Sequence, residues 1–396
     1  MHVEDCDLLI IGGGPAGLIA AREAARTGPD LSVVVVERDD AVGTPVRCGE
    51  GVGSAGLAEF IDPRVGGGDA PWIARRITRV VFRAPEGTTV RVAEGDVGYI
   101  LDRTRFEPAL AEQAVNSGAD VRTRVDALTM VRDGARWRVH ARRPDEDVQI
   151  RARIVIGADG VESAVGRWAG IDTRVRARDM ESCAQYVVEA DDIDPDAIVL
   201  HFGDAVAPGG YAWVFPKGAR SANVGLGTLG LRAGGRSAIA WLDDYMAANF
   251  PNAAITGRTV GGVIVAATLA RTVADGLLLC GDAAHMINPL SGGGIVNAMK
   301  AGRLAAQTAV AALAARDTSA RFLQRYHDDW MTLLGDDHVR FYRLKEALNR
   351  FDDPFFNDLA RTVNRIPLER RTLARIFAAA LVRHPTLLPV VAKYFV

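Results

Sequence analysis

Leu8-Leu9-Ile10-Ile11-Gly12-Gly13-Gly14-Pro15-Ala16-Gly17-Leu18-Ile19 is the stretch that decides the fold. The apolar run over 7–11 predicts a buried strand, the glycines a turn, and residues 15–26 a helix. Residues 31–36 are rich in valine and predict a second strand, which Glu37 closes twenty residues after Gly17. Strand, helix, strand is the unit of a parallel sheet. Within it, Gly12, Gly14 and Gly17 fit GxGxxG: glycine allows a tight turn and lets a pyrophosphate approach the backbone. Pro15 and Ala16 open a helix whose first N–H groups and positive dipole end favour phosphate. Glu37 can bind a ribose hydroxyl, and Arg38 beside it is a further candidate contact. The spacing predicts a bound dinucleotide without separating FAD from NAD.

Two later segments separate them. Ile154-Val155-Ile156-Gly157-Ala158-Asp159-Gly160 predicts a strand that ends in a glycine-flanked acid. Gly281-Asp282 follows another short apolar strand over 277–280, and Pro289-Leu290-Ser291-Gly292-Gly293-Gly294-Ile295 leads into a long alanine-rich helix over 294–315. Together with the N-terminal unit they describe one extended ligand: Asp282 can hold ribityl hydroxyls, and Gly292, Gly293 and Gly294 present helix N-terminal N–H groups to a flavin ring. Between these motifs, residues 43–56 predict an irregular glycine-rich loop and 103–116 a helix. Short alternating runs at 185–189, 197–202, 211–215 and 221–226 predict an antiparallel sheet.

Through GxGxxG, Gly157-Ala158-Asp159-Gly160 and Gly281-Asp282, the chain resembles the para-hydroxybenzoate hydroxylase-type flavoproteins over most of residues 5–310. That resemblance implies bound FAD, and it makes Arg103, in Leu101-Asp102-Arg103-Thr104-Arg105-Phe106, the flavin-contacting arginine; a surface salt bridge is the other use for it. Arg47-Cys48-Gly49-Glu50-Gly51-Val52 and Gly210-Tyr211-Ala212-Trp213-Val214-Phe215-Pro216-Lys217 are similar to the signatures of geranylgeranyl reductases, which saturate isoprenoid double bonds. The resemblance implies Cys48 beside the flavin and Tyr211, Trp213 and Phe215 along a prenyl chain, and Arg47 next to Cys48 is a further candidate cofactor contact. Alternation independently puts those three aromatics on one face of a strand. An isolated alkene has no carbonyl to polarise, so the site needs a proton source, for which Cys48 and Glu50 are the candidates.

The expected class is therefore α/β (α+β overall). A Rossmann-type FAD-binding domain (1–75, 100–175, 266–315) is interleaved with an antiparallel-sheet substrate domain (76–99, 176–265), and a helical C-terminal region (316–396) follows. With 396 residues, 48% of them hydrophobic, the chain exceeds the usual size of one domain. A net charge of -2 argues against nucleic acid as a partner. Four scattered cysteines without a CxxC pair argue against a disulfide scaffold or a zinc site. No basic leader opens the chain and no apolar run reaches spanning length, so a cytoplasmic protein is expected. Residues 369–383 predict an amphipathic helix with Leu373, Ile376, Phe377, Ala380 and Leu381 on its apolar face and Arg370, Arg371, Arg375 and Arg383 beside it. It serves either packing or peripheral contact with an anionic membrane.

The expected activity is reduction of prenyl double bonds on a lipid, quinone or other hydrophobic molecule. The second reading is an aromatic monooxygenase, marked by oxygen-dependent NAD(P)H consumption. A flavin halogenase needs an early active-site lysine, and none precedes Lys217. A non-catalytic prenyl carrier need not keep the three flavin motifs. No second dinucleotide fingerprint appears, so NAD(P)H bound transiently or a small redox protein is expected to supply electrons.

Overall fold

The computed structural model describes residues 2–371, Arg375 and Ala379. It has the expected mixed α/β architecture. Two compact units each draw on distant stretches: 1–46, 103–175 and 266–339 form the first, and 47–102, 176–265 and 340–396 the second.

In the first unit the strand His2–Ile11 lies between Asp147–Gly157 and Val33–Val36, with Leu277–Leu279 and Asp120–Arg122 further out, all parallel. Leu8 to Ile11 and all of Val33–Val36 are buried, as expected of parallel strands covered on both faces. Ile11 pairs with both Gly157 and Val36, and Gly157 also pairs with Leu279. The strands therefore end at one level, and Gly12, Glu37, Ala158 and Cys280 leave the sheet together at its carboxyl edge, where open α/β sheets bind their ligands. The helices Pro15–Thr27 and Ile295–Ala315 pack on each other through buried small residues, among them Ala16, Ala20, Ala301, Ala305 and Gly302.

The second unit is built on one sheet in the order Ala254–Ile264, Met180–Glu189, Ser221–Leu229, Tyr211–Pro216, Ala197–Phe202, Ile73–Arg83, Thr89–Leu101, Gly51–Gly53. Its pairings are antiparallel except that of Ile73–Arg83 with Ala197–Phe202. Even-numbered side chains of the central strands, Ala184, Tyr186, Val188, Ala212, Val214, Val224 and Leu226, are buried with Leu242, Tyr245 and Met246 of the helix Ala238–Asn249. The odd-numbered side chains stand on the other face.

These units differ from the expected boundaries. Residues 47–75 group with the antiparallel unit, because Gly51–Gly53 pairs with Thr89–Leu101. The helical C-terminal region is divided: residues 316–339 join the first unit, while 340 onward joins the second, where Arg361 pairs with Glu86 and Arg371 donates to the Arg91 carbonyl. The apolar face expected on Leu373, Ile376, Phe377, Ala380 and Leu381 lies outside the described residues.

Helix contact in the first unit depends on Gly302, where an added methyl would come within 2.2 Å of the Ala16 carbonyl oxygen. Alanine is the better helix former by roughly 1 kcal/mol. The clash is with backbone, which cannot swing away, and overpacking of this kind costs about 1–3 kcal/mol. Gly302→Ala is therefore expected to lower the thermal unfolding midpoint, and an unchanged or raised midpoint would show that the helices separate freely.

Candidate functional site

The first unit holds Gly12, Gly14, Pro15, Ala16, Gly17, Glu37, Arg38, Arg103, Asp159, Gly160, Asp282, Pro289, Gly292, Gly293, Gly294 and Ile295. Gly12 has a positive φ of 111°, and a methyl on it would approach the Ala158 carbonyl oxygen to 2.2 Å. Its role is therefore structural: the turn after the first strand runs directly against the turn after Asp147–Gly157. Gly14 is different, since a methyl there would meet no protein atom within 4 Å. No side chain caps the helix that begins at Pro15. An open glycine in front of uncapped helix N–H groups is the cradle a pyrophosphate requires.

Glu37 is held by its neighbours. Its Oε2 accepts from the Gly13 N–H at 2.7 Å and its Oε1 from the Asp39 N–H at 2.9 Å. Each oxygen retains a second lone pair, so the carboxylate is locked in orientation rather than used up. Arg38 pairs with Glu162 at 3.0 Å on the surface. Arg103 binds Glu107, one turn along its own helix and fully buried, with Nε 2.6 Å from Oε1. The ion pair has a buried partner and is not the surface salt bridge named as its alternative use.

Asp159 Oδ2 accepts from the N–H groups of Ala164 at 2.7 Å and Val165 at 3.0 Å. Its Oδ1 is buried with no hydrogen-bond partner among the described residues. Such an orphan is costly unless a ligand completes it. At Asp282, burial pushes the carboxyl up to about 6 against the opposing pull of the Arg103 charge. Asp282 Oδ1 would lie 3.6 Å from a methyl on Gly294, so this acid and the start of the helix Ile295–Ala315 share one locality. Asn288 shapes the loop before that helix: its Oδ1 accepts from Leu290 and Ser291, and its N–H donates to the Gly293 carbonyl. No side chain caps this helix either. The residues present therefore fit an extended dinucleotide at three points: an open glycine before one uncapped helix start, an orphaned acid and a second uncapped helix start.

Arg47, Cys48, Glu50, Tyr211, Trp213 and Phe215 all belong to the second unit. Tyr211, Trp213 and Phe215 share one face, with successive ring centroids 6.1 and 6.3 Å apart. The small residues between them, Ala212, Val214 and Pro216, fill the core, while the large rings are only half-buried. An ordinary half-buried strand turns its larger apolar side chains inward. On the adjoining strand Gly225 and Gly227 form the floor beside the rings: a methyl on Gly225 would stand 2.5 Å from the Trp213 indole.

Four side chains tie the Cys48 loop to this face. The Trp213 indole N–H donates to Gln185 Oε1 at 2.9 Å, and Gln185 Nε2 donates to the Cys48 carbonyl at 3.0 Å. Asn223 Nδ2 donates to the Gly49 carbonyl at 3.2 Å and to Glu50 Oε2 at 2.8 Å. Lys217 Nζ reaches the same Glu50 oxygen at 2.6 Å. Glu50 is 2% exposed and has a left-handed φ of 70°. Removing one partner from an ion pair this deep costs about 3–5 kcal/mol. The Cys48 thiol accepts from the Glu50 N–H at 3.2 Å, and a methyl on Gly49 would stand 2.8 Å from the Phe215 ring. Arg47, in contrast, is exposed.

Sequence reasoning passed over Gln185 and Asn223 as site residues and gave Lys217, at the end of the aromatic segment, no role in the site. The alternate glycines Gly225 and Gly227 were the available signal, since glycine inside a strand marks a close approach.

The family model described as "Geranylgeranyl reductase catalytic domain" matches residues 179–263, and that of "Lycopene cyclase protein" matches residues 7–187. A digeranylgeranylglycerophospholipid reductase of Methanosphaerula palustris is 43% identical over 393 residues, covering 96% of each chain. The crystal structure of a geranylgeranyl bacteriochlorophyll reductase-like protein from Thermoplasma acidophilum superposes with a TM-score of 0.89 at 32% identity, over 98% of this chain and all of that one. Aklavinone-11 hydroxylase, solved with FAD and aklavinone, shares the fold alone: the TM-score is 0.64 at 19% identity, over 87% of this chain and 70% of that one. Identity above 40% along nearly the whole chain, together with a matched catalytic domain on the aromatic sheet, shows that this protein belongs to the geranylgeranyl reductase family of FAD-dependent oxidoreductases.

Proposed function

We propose that the protein saturates carbon–carbon double bonds in the geranylgeranyl chains of a glycerophospholipid. The carrying observation is the open face of the second unit, where Tyr211, Trp213 and Phe215 are half-buried over a floor of Gly225 and Gly227. A polyprenyl chain offers no polar group along its length, so a wall of aromatic rings beside strand glycines that add no side chain of their own is the surface that suits it. The hydroxylase reading has a likeness of fold behind it and no such specific feature.

Gly14 and the first turn of Pro15–Thr27 would hold the FAD pyrophosphate, and Glu37 the adenosine ribose, with Arg38, Arg47, Asp159 and Gly160 as further contacts. Asp282 would hold the ribityl chain. Arg103, Pro289, Gly292 to Gly294 and the Ile295 helix start would border the flavin ring. Reduced FAD supplies the hydride when bound. The aromatic wall orients the alkene and keeps water away, and Cys48 lies on the loop that the Gln185, Asn223 and Lys217 contacts hold rigid. Glu50 positions that loop through Lys217.

Since the lipid substrate lies in a bilayer, the protein is proposed to dock there peripherally. No helix among the described residues is long and apolar enough to cross a membrane. From residue 361 onward the sequence carries six arginines and one lysine against Glu369 alone. Basic residues near an anionic surface each contribute about 1 kcal/mol.

Gly14→Val is expected to leave the fold intact and yield colourless protein, because the added methyls meet ligand rather than protein. Full FAD occupancy in this variant would remove Gly14 from the cofactor site. Anaerobic incubation of the yellow parent with a chemical reductant and a digeranylgeranylglycerophospholipid should add two hydrogens per reduced double bond by mass spectrometry. Cys48→Ser should keep the colour and lose most product. Lipid recovered unchanged from the parent, or oxygen-dependent hydroxylation of an aromatic compound, would overturn the reductase reading. In flotation at low ionic strength, the parent should rise with anionic liposomes and a chain ending at Arg371 should rise less; equal recovery of the two would exclude the basic terminus.

A further inference from the structure

The open face of the second unit also carries an acid that none of these roles employs. Glu181 is in the strand Met180–Glu189, where register sets it beside Leu229 and Val263. Its side chain leans over the glycine floor: a methyl on Gly227 would stand 2.8 Å from Glu181 Oε2 and 3.2 Å from Cys183 Sγ. One on Gly210 would be 3.7 Å from the Glu181 carboxyl carbon. Gly227 pairs with Tyr211, the first ring of the aromatic wall. The carboxyl thus sits at the end of that wall.

Among the described residues the Glu181 carboxyl makes no hydrogen bond and no ion pair; the residue is held through its backbone, by the ladders on either side and by the Cys183 thiol, which donates to its carbonyl. The titratable groups facing it are Cys183 on its own strand, Tyr211 two strands away in the same sheet and Lys345 of the helix Asp336–Leu348, with Cys48 of the clamped loop near Cys183 and Tyr211. Lys345 is turned to others: its Nζ donates to the Val265 carbonyl at 2.7 Å and to Asp179 Oδ1 at 3.2 Å, with Glu346 at 3.5 Å. Burial pushes the Glu181 carboxyl up to about 7, with the Lys345 charge opposing. The Cys183 thiol and Tyr211 hydroxyl are pushed well above their ordinary ranges by the same burial, so they hold their protons. Glu50 is clamped by Lys217 and Asn223. An acid that is half protonated near neutral pH is the best matched to donate.

We propose that Glu181 is the proton donor of double-bond reduction, an inference that rests on the prenyl-reductase reading. A hydride with its electron pair, which reduced FAD would supply, adds to one alkene carbon. The O–H bond of protonated Glu181 breaks as a C–H bond forms at the other carbon, leaving a saturated bond, oxidised flavin and a Glu181 carboxylate that regains its proton from solvent.

The test uses FAD-loaded parent, Glu181→Gln and Glu181→Asp, each checked for colour and thermal midpoint. Single-turnover oxidation of reduced flavin by the prenyl lipid should slow roughly 100-fold or more in Glu181→Gln, with partial recovery in Glu181→Asp. The protonated carboxyl is the working form, so the parent rate should fall as pH rises through about 7, and Glu181→Gln should lack that limb. Independently of turnover, infrared difference spectra from about pH 5 to about pH 9 should show a carboxylic-acid band that titrates in the parent, is missing in Glu181→Gln and is shifted in Glu181→Asp. Parent-like turnover and pH profile in Glu181→Gln would overturn the proposal, as would infrared spectra that do not differ between the two. If Glu181→Gln does not fold, the Glu181→Asp band and rate decide. A titrating Glu181 band in a parent that hydrogenates no prenyl lipid would instead refute the reductase reading, and with it the use of this acid.

Discussion

Contact between backbones where no side chain intervenes is the constraint on which the dinucleotide-binding unit depends. Gly12 meets the Ala158 carbonyl, Gly17 the Gly12 carbonyl and Gly302 the Ala16 carbonyl, each closer than a methyl group would allow. These contacts fasten the first turn to the neighbouring turn, to its own helix and to the helix Ile295–Ala315. Because the parallel strands end at one level, the fastened turns, Glu37, Asp159 and Asp282 all belong to the carboxyl edge of one sheet. Gly14, alone in the fingerprint, has open space before it. The same residue type thus serves packing at three positions and leaves open space at the fourth.

A reversal of the usual strand pattern governs the second unit. Alanine, valine and proline from Tyr211–Pro216 enter the core, and the tyrosine, tryptophan and phenylalanine stay on the open face. Leaving three large rings half-buried forgoes apolar burial worth on the order of 1 kcal/mol or more each. Stability is recovered elsewhere, in the core beneath and in the polar clamp that Gln185, Asn223 and Lys217 make on the Cys48 loop. Two carboxylates on this unit have opposite surroundings. Glu50 is surrounded by donors that hold it in place, whereas Glu181 lies over glycine with sulfur and aromatic neighbours. Environment, not residue type, separates an anchoring acid from one left without a partner.

Much of this was legible in the residues themselves. The periodicities of 7–11, 15–26 and 31–36, and the distance from Gly17 to Glu37, are local, and local order is what spacing can report. Alternation likewise placed Tyr211, Trp213 and Phe215 on one face, as their rings confirm. With the Cys48 and aromatic segments, those patterns were sufficient for the α/β class and the reductase family.

Tertiary structure alone decided the rest. Whether residues 47–75 side with the Rossmann-type sheet or the antiparallel one turns on the pairing of Gly51–Gly53 with a strand some forty residues later, and strand pairing leaves no mark in either segment. Gln185 and Asn223 meet the Cys48 loop across 137 and 174 residues, contacts set by sheet register. Gly225 and Gly227 were visible as glycines, but what they make room for depends on the neighbouring strands. The sequence by itself determined which residues could form each element and which cofactor class the motifs serve, because those depend on near neighbours; the structure decided which acid is clamped by donors and which has none, because burial and charge pairing arise only when distant segments meet.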